Sequence, residues 1–218
     1  MAKRNKIPWP TKAVMNQIYE QKLWGGQAFD FYSGTGSHSQ DIIAPYIDKV
    51  ISFFNRHTNL VVCDLGCGDF NIGKHFVSHV KQYIALDIVE PLINRNIKRY
   101  KYPNLTFACL DIANHNWPKA DCIILRQVLQ HLPNNEILSV VNKLQNYKYI
   151  IITEHLPVGN FLSNIDMISS QGIRLKKQSG VDLLKPPFNL KIKEKQVLHN
   201  YVLKNNKGRI LTQLYTVF

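Results

Sequence analysis

The stretch from Leu60 to Gly73, LVVCDLGCGDFNIG, constrains this chain more than any other. Leu60, Val61, Val62 and Cys63 form a short apolar run of the kind that becomes a strand buried on both faces. Asp64 ends the run, and Gly66 and Gly68 follow two residues apart. Ile72, Phe76, Val77 and Val80 then recur at helical spacing, so the segment predicts strand, glycine turn, helix. Glycine suits a place where backbone turns sharply or approaches a ligand closely, because it has no Cβ in the way. A helix starting there adds unpaired N–H groups and a positive dipole end. The pattern points to a nucleotide-type pocket at the carboxyl end of a first parallel strand.

The rest of the chain repeats that alternation. Tyr83 to Leu86 reads as a second strand ending at Asp87, and Leu105 to Leu110 as a third ending at Asp111. Cys122 to Leu125 is a fourth and Tyr149 to Thr153 a fifth, ending at Glu154. Pro91 and Pro133 open helices between them, the second with Ile137, Val140, Val141 and Leu144 on one face. Strands alternating with helices predict a parallel sheet with right-handed crossovers. The chain ends differently. Gln196 to Lys204 and Arg209 to Phe218 are strand-like runs joined by Asn205-Asn206-Lys207-Gly208, a hairpin turn signal.

Ahead of the sheet, Thr11 can cap a helix carrying Val14, Met15, Ile18, Tyr19 and Leu23, and a second helix spans about Ala44 to Asn55. Between them lies Phe31-Tyr32-Ser33-Gly34-Thr35-Gly36-Ser37, a flexible connector or an ordered loop over a ligand. Residues 1–58 are therefore expected to be a helical cap that could not bury a core of its own, and 59–218 the main domain.

Composition narrows the function classes. No run approaches the ~18 apolar residues of a membrane span. The basic start MAKRNK is followed by Ile7-Pro8-Trp9-Pro10 and then by polar residues, with no apolar signal region, which reads as cytoplasmic. Cys63, Cys67, Cys109 and Cys122 contain no C-x-x-C, and three of them fall in predicted strands, so reduced thiols are expected. No His/Cys/Asp cluster has metal-ligand spacing. The net charge of +12, from 27 Lys+Arg against 15 Asp+Glu, draws anions. The basic residues are scattered, from Lys3-Arg4-Lys6 to Lys191-Lys193-Lys195, with no arginine-rich tract and no aromatic-basic RNA motif. They fit an anionic partner or a compositional bias.

The choice of nucleotide turns on single residues. The dinucleotide fingerprint G-x-G-x-x-G/A fails here, because Asn71 stands where its packing glycine belongs. Asp87 lies 19 residues after Gly68, close to the spacing at which an acid meets a ribose. A carboxylate can accept from both ribose hydroxyls through charge-assisted bonds. His131 is either a general base or a ring bonded to nearby backbone.

The order Asp64-Leu65-Gly66-Cys67-Gly68 resembles motif I of the class I S-adenosylmethionine-dependent methyltransferases, with Phe70 in place of the last glycine of acid-x-Gly-x-Gly-x-Gly. The terminal hairpin resembles the antiparallel seventh strand of that family's sheet. Leu125 to Pro133 resembles its motif IV with a "Val-Leu-x-His-Leu" ending, and lacks the Asn/Asp-Pro-Pro-Tyr/Phe of amino-directed nucleic-acid methyltransferases. The likeness extends to a bacterial subgroup with Trp-Gly (Trp24-Gly25), Ser-Gly-x-Gly-Ser (Ser33 to Ser37) and Pro-Pro-Phe-Asn-Leu (Pro186 to Leu190).

This resemblance implies a Rossmann-like α/β fold: a seven-stranded mixed sheet, mostly parallel, with a C-terminal antiparallel hairpin, helices on both faces and the N-terminal cap. It implies S-adenosyl-L-methionine as cofactor and S-adenosyl-L-homocysteine as product. Asp64 and Gly66 would line the methionine end, with Gly68 and Asp69 in the turn and Trp24 and Ser33 in the covering loop. Asp87 would take the ribose, Asp111 the adenine amine, and Ile88 and Ile112 the adenine faces, with Arg126 and Gln127 beneath the sulfonium. His131, His155, Phe188 and Asn189 would border the acceptor. The expected function is methyl transfer to oxygen or nitrogen of a small-molecule or glycan-like acceptor. An RNA methyltransferase using the basic surface and a non-catalytic cofactor-binding module are the alternatives.

Overall fold

The computed structural model describes residues 8–26, 30–204 and 207–218. Seven strands form one sheet: β1 (Val61–Leu65), β2 (Gln82–Asp87), β3 (Leu105–Cys109), β4 (Cys122–Arg126), β5 (Tyr149–Leu156), β6 (Glu194–Val202) and β7 (Arg209–Thr216). Their order across the sheet is β3-β2-β1-β4-β5-β7-β6. β1 to β5 pair in parallel, and β7 runs antiparallel to both β5 and β6. The chain steps outward from β1 to β3 and then returns to place β4 beside β1, so a crevice opens above the β1/β4 boundary. Register sharpens this: Leu65 pairs with Leu86 on one side and Leu125 on the other, so three carboxyl ends stop at one level.

The apolar runs explain why the strands sit centrally. On one face, α4 (Asn134–Leu144) packs Ile137, Val140, Val141 and Leu144 into a core with Cys63, Leu65, Ile123, Leu125, Ile150 and Ile152. On the other, α2 (Gln40–Arg56) packs Ile43, Tyr46, Ile47, Val50 and Phe54 into a core with Val62, Tyr83, Ala85, Ile124 and Leu214. α1 (Thr11–Glu20) adds Met15 and Ile18 to the first core. α3 (Glu90–Arg99), with Pro91 in its first turn, joins β2 to β3. No helix among the described residues is long and apolar enough to cross a membrane.

Several local expectations are corrected. The segment after the glycine turn is not an α-helix but two single 3-10 turns, Gly73–His75 and Val77–His79. Gly73, Ser78 and the β-branched Val77 and Val80 are poor helix formers, and packing of the preceding Phe70 takes precedence. Phe70 adopts φ +62°, the conformation the family pattern gives to glycine, and its fully buried ring meets Tyr83, Tyr100 and Phe107 with centroids 4.8–5.7 Å away. Gly73 presses on that ring: a Cβ there would lie 2.3 Å from it. Thr11 is the first helical residue rather than the cap, a place taken by Pro10. α2 begins at Gln40, with Pro45 inside it. Cys109 is exposed, whereas Cys63 and Cys122 are buried, and all four thiols are free. The hairpin turn falls partly on Asn205 and Asn206, outside the described residues, as do Lys3, Arg4 and Lys6.

Phe70→Gly would match the family pattern yet remove a buried aromatic anchor. Urea unfolding is expected to show a loss of about 3–5 kcal/mol; a loss below ~1 kcal/mol would mean the ring anchors nothing.

Candidate active site

The crevice holds a cavity of about 410 Å³. Its floor is the glycine turn and the ends of β1 to β4, and its roof is α1, Trp24, the Ser33–Ser37 loop and residues 171–176. Twelve expected cofactor residues line it: Trp24, Ser33, Asp64, Gly66, Gly68, Asp69, Asp87, Ile88, Asp111, Ile112, Arg126 and Gln127. His131 lines it too.

The turn is built to satisfy its own backbone. Gly66 and Cys67 N–H both donate to Leu86 O, at 2.8 and 2.9 Å. Gly68 N–H donates to Asp87 Oδ2 at 3.0 Å and Asp69 N–H to Ser33 Oγ at 2.8 Å. Phe70 N–H donates to Cys67 O at 3.2 Å and Asn71 N–H to Asp69 Oδ1 at 3.2 Å. All six successive N–H groups are thus used inside the protein. A dinucleotide turn needs such donors free for a pyrophosphate. This turn has none to give, so it suits a nucleoside without phosphate.

Asp69 is the hub of the roof. Its carboxylate accepts from Ser33 N–H at 3.0 Å while its own N–H donates back to Ser33, and His38 Nε2 meets the same oxygen at 2.6 Å. A Cβ on Gly68 would lie 2.3 Å from Ser33 Oγ, so only glycine permits the loop to come this close. Arg126 donates to Gly36 O at 2.7 Å and Asn71 Nδ2 to Ser37 O at 2.8 Å, fastening the loop's far end.

Asp87 accepts from Gly68 N–H and Val89 N–H, one on each oxygen, and faces the cavity with lone pairs to spare. Burial holds its pKa above the usual carboxylate range. Asp64 accepts from the Tyr83 hydroxyl at 2.8 Å, and burial pushes its pKa up to about 7. Asp111 braces its own turn by accepting from Ala113 and Asn114 N–H.

His131 takes the backbone option. Its Nδ1 lies 3.1 Å from both Ser170 O and Gly172 O, and Nε2 is 3.2 Å from Gln130 Nε2. Burial pushes its pKa down to about 4, so the ring is neutral at pH 7 and a weak base. Arg174 fixes this region by donating to the carbonyls of Leu129, Gln130, Leu132 and Ile165. Below it Glu154 is buried with neither carboxyl oxygen bonded, and burial raises its pKa to about 8.

Three expected acceptor residues lie elsewhere. His155 Nε2 meets Lys207 O at 2.6 Å under the terminal hairpin. Phe188 is a core residue packed with α4, and Asn189 is exposed at φ +48° beyond the cavity. Their place after β5 and in the Pro-Pro-Phe-Asn segment reflects packing. Sequence reading missed Thr11, Tyr46, Glu136 and Lys176, which also line the cavity. Thr11 had one signal, a polar residue opening an amphipathic helix; its hydroxyl donates to Glu136 at 2.6 Å and so latches α1 to α4.

Comparison with known proteins agrees with this geometry. Residues 62–147 match the family described as a methyltransferase domain. The chain has the class I methyltransferase fold. It superposes on the N-methyltransferase NodS from Bradyrhizobium japonicum WM9, solved with S-adenosyl-L-homocysteine, at TM-score 0.63 and 11% identity over 93% of this chain and 98% of that one. It superposes on magnesium protoporphyrin IX methyltransferase from Synechocystis PCC 6803, solved with S-adenosylmethionine, at TM-score 0.59 and 15% identity over 97% and 100%. Human N-acetylserotonin methyltransferase, also solved with that cofactor, gives 0.58 and 15% over 95% of this chain and 60% of its own. No curated protein sequence matches the chain.

Asp64 and Glu154 keep their protons in the fold at pH values where the unfolded chain has lost them. Their stabilising protonation is complete near pH 4 and disappears as pH rises through about 7 for Asp64 and about 8 for Glu154. Stability should fall between pH 5 and 8 by up to about 1.4 kcal/mol per pH unit for each group. Urea midpoints across that range should fall less in a double Asp64→Asn, Glu154→Gln variant; equal slopes would show that neither carboxyl is protonated in the fold.

Proposed function

We propose that this protein is an S-adenosylmethionine-dependent methyltransferase acting on oxygen or nitrogen of a small-molecule or glycan-like acceptor. The observation that carries the reading is the glycine turn whose six N–H groups are internally bonded, beside Asp87. The turn leaves no free donor for a pyrophosphate, and Asp87 offers a carboxylate to a ribose. In this reading Asp87 holds the ribose hydroxyls, Ile88 and Ile112 flank the adenine, and Asp111 faces its amine. Asp64 and the glycine turn face the methionine end, under the loop that begins at Ser33. The sulfonium carries its methyl as an electrophile, so transfer needs an acceptor lone pair held in line with the carbon–sulfur bond. His131, neutral and fixed by two carbonyls, acts as a wall of the cavity and an acceptor of hydrogen bonds through Nε2 rather than as a strong base. The methionine end faces Trp24 and Val128, which line the same cavity.

The roof and the volume of about 410 Å³ favour a small acceptor over a nucleic-acid duplex. The acceptors in the relatives' names differ from one another, and none of them carries over to this chain.

Calorimetric titration with S-adenosylmethionine and S-adenosylhomocysteine tests the reading. Asp87→Asn keeps the side-chain shape but loses charge-assisted bonds, so affinity should fall about 10- to 150-fold. Absence of binding to folded wild type would refute the cofactor assignment. Tritium transfer from labelled cofactor into a cell extract should separate an enzyme from a binding module: no label in any fraction would favour the module.

A further inference from the structure

Arg126 ends β4 as a partly buried cation with no carboxylate in ion-pair contact among the described residues. Its guanidinium donates to Gly36 O at 2.7 Å, Gln127 Oε1 at 2.9 Å and Ser37 Oγ at 3.3 Å, and lies 4.8 Å over the Tyr46 ring. Every one of these partners is neutral. Among the described residues no carboxylate forms an ion pair with it, and the nearby Asp64 takes its bond from Tyr83. Arg126 Nε has no acceptor. Tyr46, 1% exposed, has a hydroxyl with no partner; the Thr153 hydroxyl near it pairs with Thr212 at 2.9 Å. Both Arg126 and Tyr46 line the cavity. A partly buried cation and a fully buried hydroxyl left unpaired are costly unless a ligand completes them.

Position assigns that ligand. Adenine at β3 and ribose at β2 would set the sulfur above β1, since the strands lie about 4.8 Å apart in that order. β4 is the next strand along, where the group receiving the methyl must approach. The cofactor is cationic at sulfur, and the carboxyl groups of Asp64, Asp69, Asp87 and Asp111 line its side of the cavity. Arg126 has the opposite sign at the far end, and Lys176 is exposed at the mouth of the same cavity. The overall charge of +12 would draw such an anion in.

We propose that Arg126 and Tyr46 form the anion-recognising corner of the acceptor subsite, so that the methyl acceptor carries a carboxylate or phosphate group. The proposal rests on the methyltransferase reading above. The rival occupant is the carboxylate of the cofactor itself, and the experiment separates the two.

Wild type, Arg126→Gln and Tyr46→Phe are first titrated with S-adenosylhomocysteine and with methylthioadenosine, which lacks the amino-acid end. The proteins saturated with S-adenosylhomocysteine are then titrated with inorganic phosphate and with acetate at constant ionic strength. Wild type should bind one anion in the millimolar range. Arg126→Gln should weaken it at least tenfold and Tyr46→Phe severalfold, with S-adenosylhomocysteine affinity in Tyr46→Phe within twofold of wild type. Any cofactor loss in Arg126→Gln should be shared by methylthioadenosine, because the guanidinium also fastens the Gly36–Ser37 end of the roof. No anion binding by the wild-type complex, or equal binding by both variants, would overturn the proposal. So would a tenfold loss of S-adenosylhomocysteine affinity in Arg126→Gln with methylthioadenosine unaffected, which would give Arg126 to the cofactor. If Arg126→Gln does not fold by circular dichroism, Tyr46→Phe decides. Failure of wild type to bind S-adenosylhomocysteine at all is read separately, in the first titration, and would remove the methyltransferase reading as well.

Discussion

The reciprocal bonding of Ser33 and Asp69 is the contact on which the site depends. Thirty-six residues apart, each donates its N–H to the other's side chain. The bond into the Asp69 carboxylate is charge-assisted, the stronger kind. Gly68 makes the approach sterically open, and Tyr19 Oη reaches Ser33 Oγ at 3.0 Å, so α1 is drawn into the same contact. This contact holds the loop as part of the roof over the crevice. Burial raises the pKa of Asp64 and Asp87 beneath it.

The second organising constraint is where backbone donors go. Dinucleotide folds and this one share a strand, a glycine turn and a strand-end acid, and differ in what the turn's N–H groups are left to do. Here Leu86 O, Asp87, Ser33, Cys67 O and Asp69 consume six in succession. The loss of an α-helix after the turn belongs to the same economy of structure, because no helix dipole points at the ligand. Positive charge in the cavity comes from side chains instead, Arg126 inside and Lys176 at the mouth. The proposed division follows: acids toward a cationic cofactor, a lone guanidinium toward an anionic acceptor.

Much of this was legible in residues 60–154. Buried parallel strands must be continuously apolar, so β1, β2, β4 and β5 stand out within a residue or two at their starts. Acids and polar residues that follow such runs are at carboxyl ends by necessity, which is why Asp64, Asp87, Asp111 and Arg126 all reach the cavity. The reading failed where local pattern competed with packing. Apolar spacing from Ile72 to Val80 imitates a helix, but Phe70 and Gly73 lock together first and leave two 3-10 turns. His155, Phe188 and Asn189 occur beside recognisable motifs, yet the hairpin claims the first and the α4 core the second, while the third stays at the surface.

By itself, then, the sequence determined the fold class and which residues stand at the carboxyl ends of the strands, because these depend on hydrophobic period and on which residues terminate each run. Only the tertiary structure decided that Ser33 closes on Asp69 and that Tyr46 of α2 meets Arg126 of β4. It also decided that His131 is spent on two carbonyls and that Glu154 is buried with neither carboxyl oxygen hydrogen-bonded. These contacts join residues far apart in the chain, and no local periodicity records which distant surfaces will meet once the two faces of the sheet are covered.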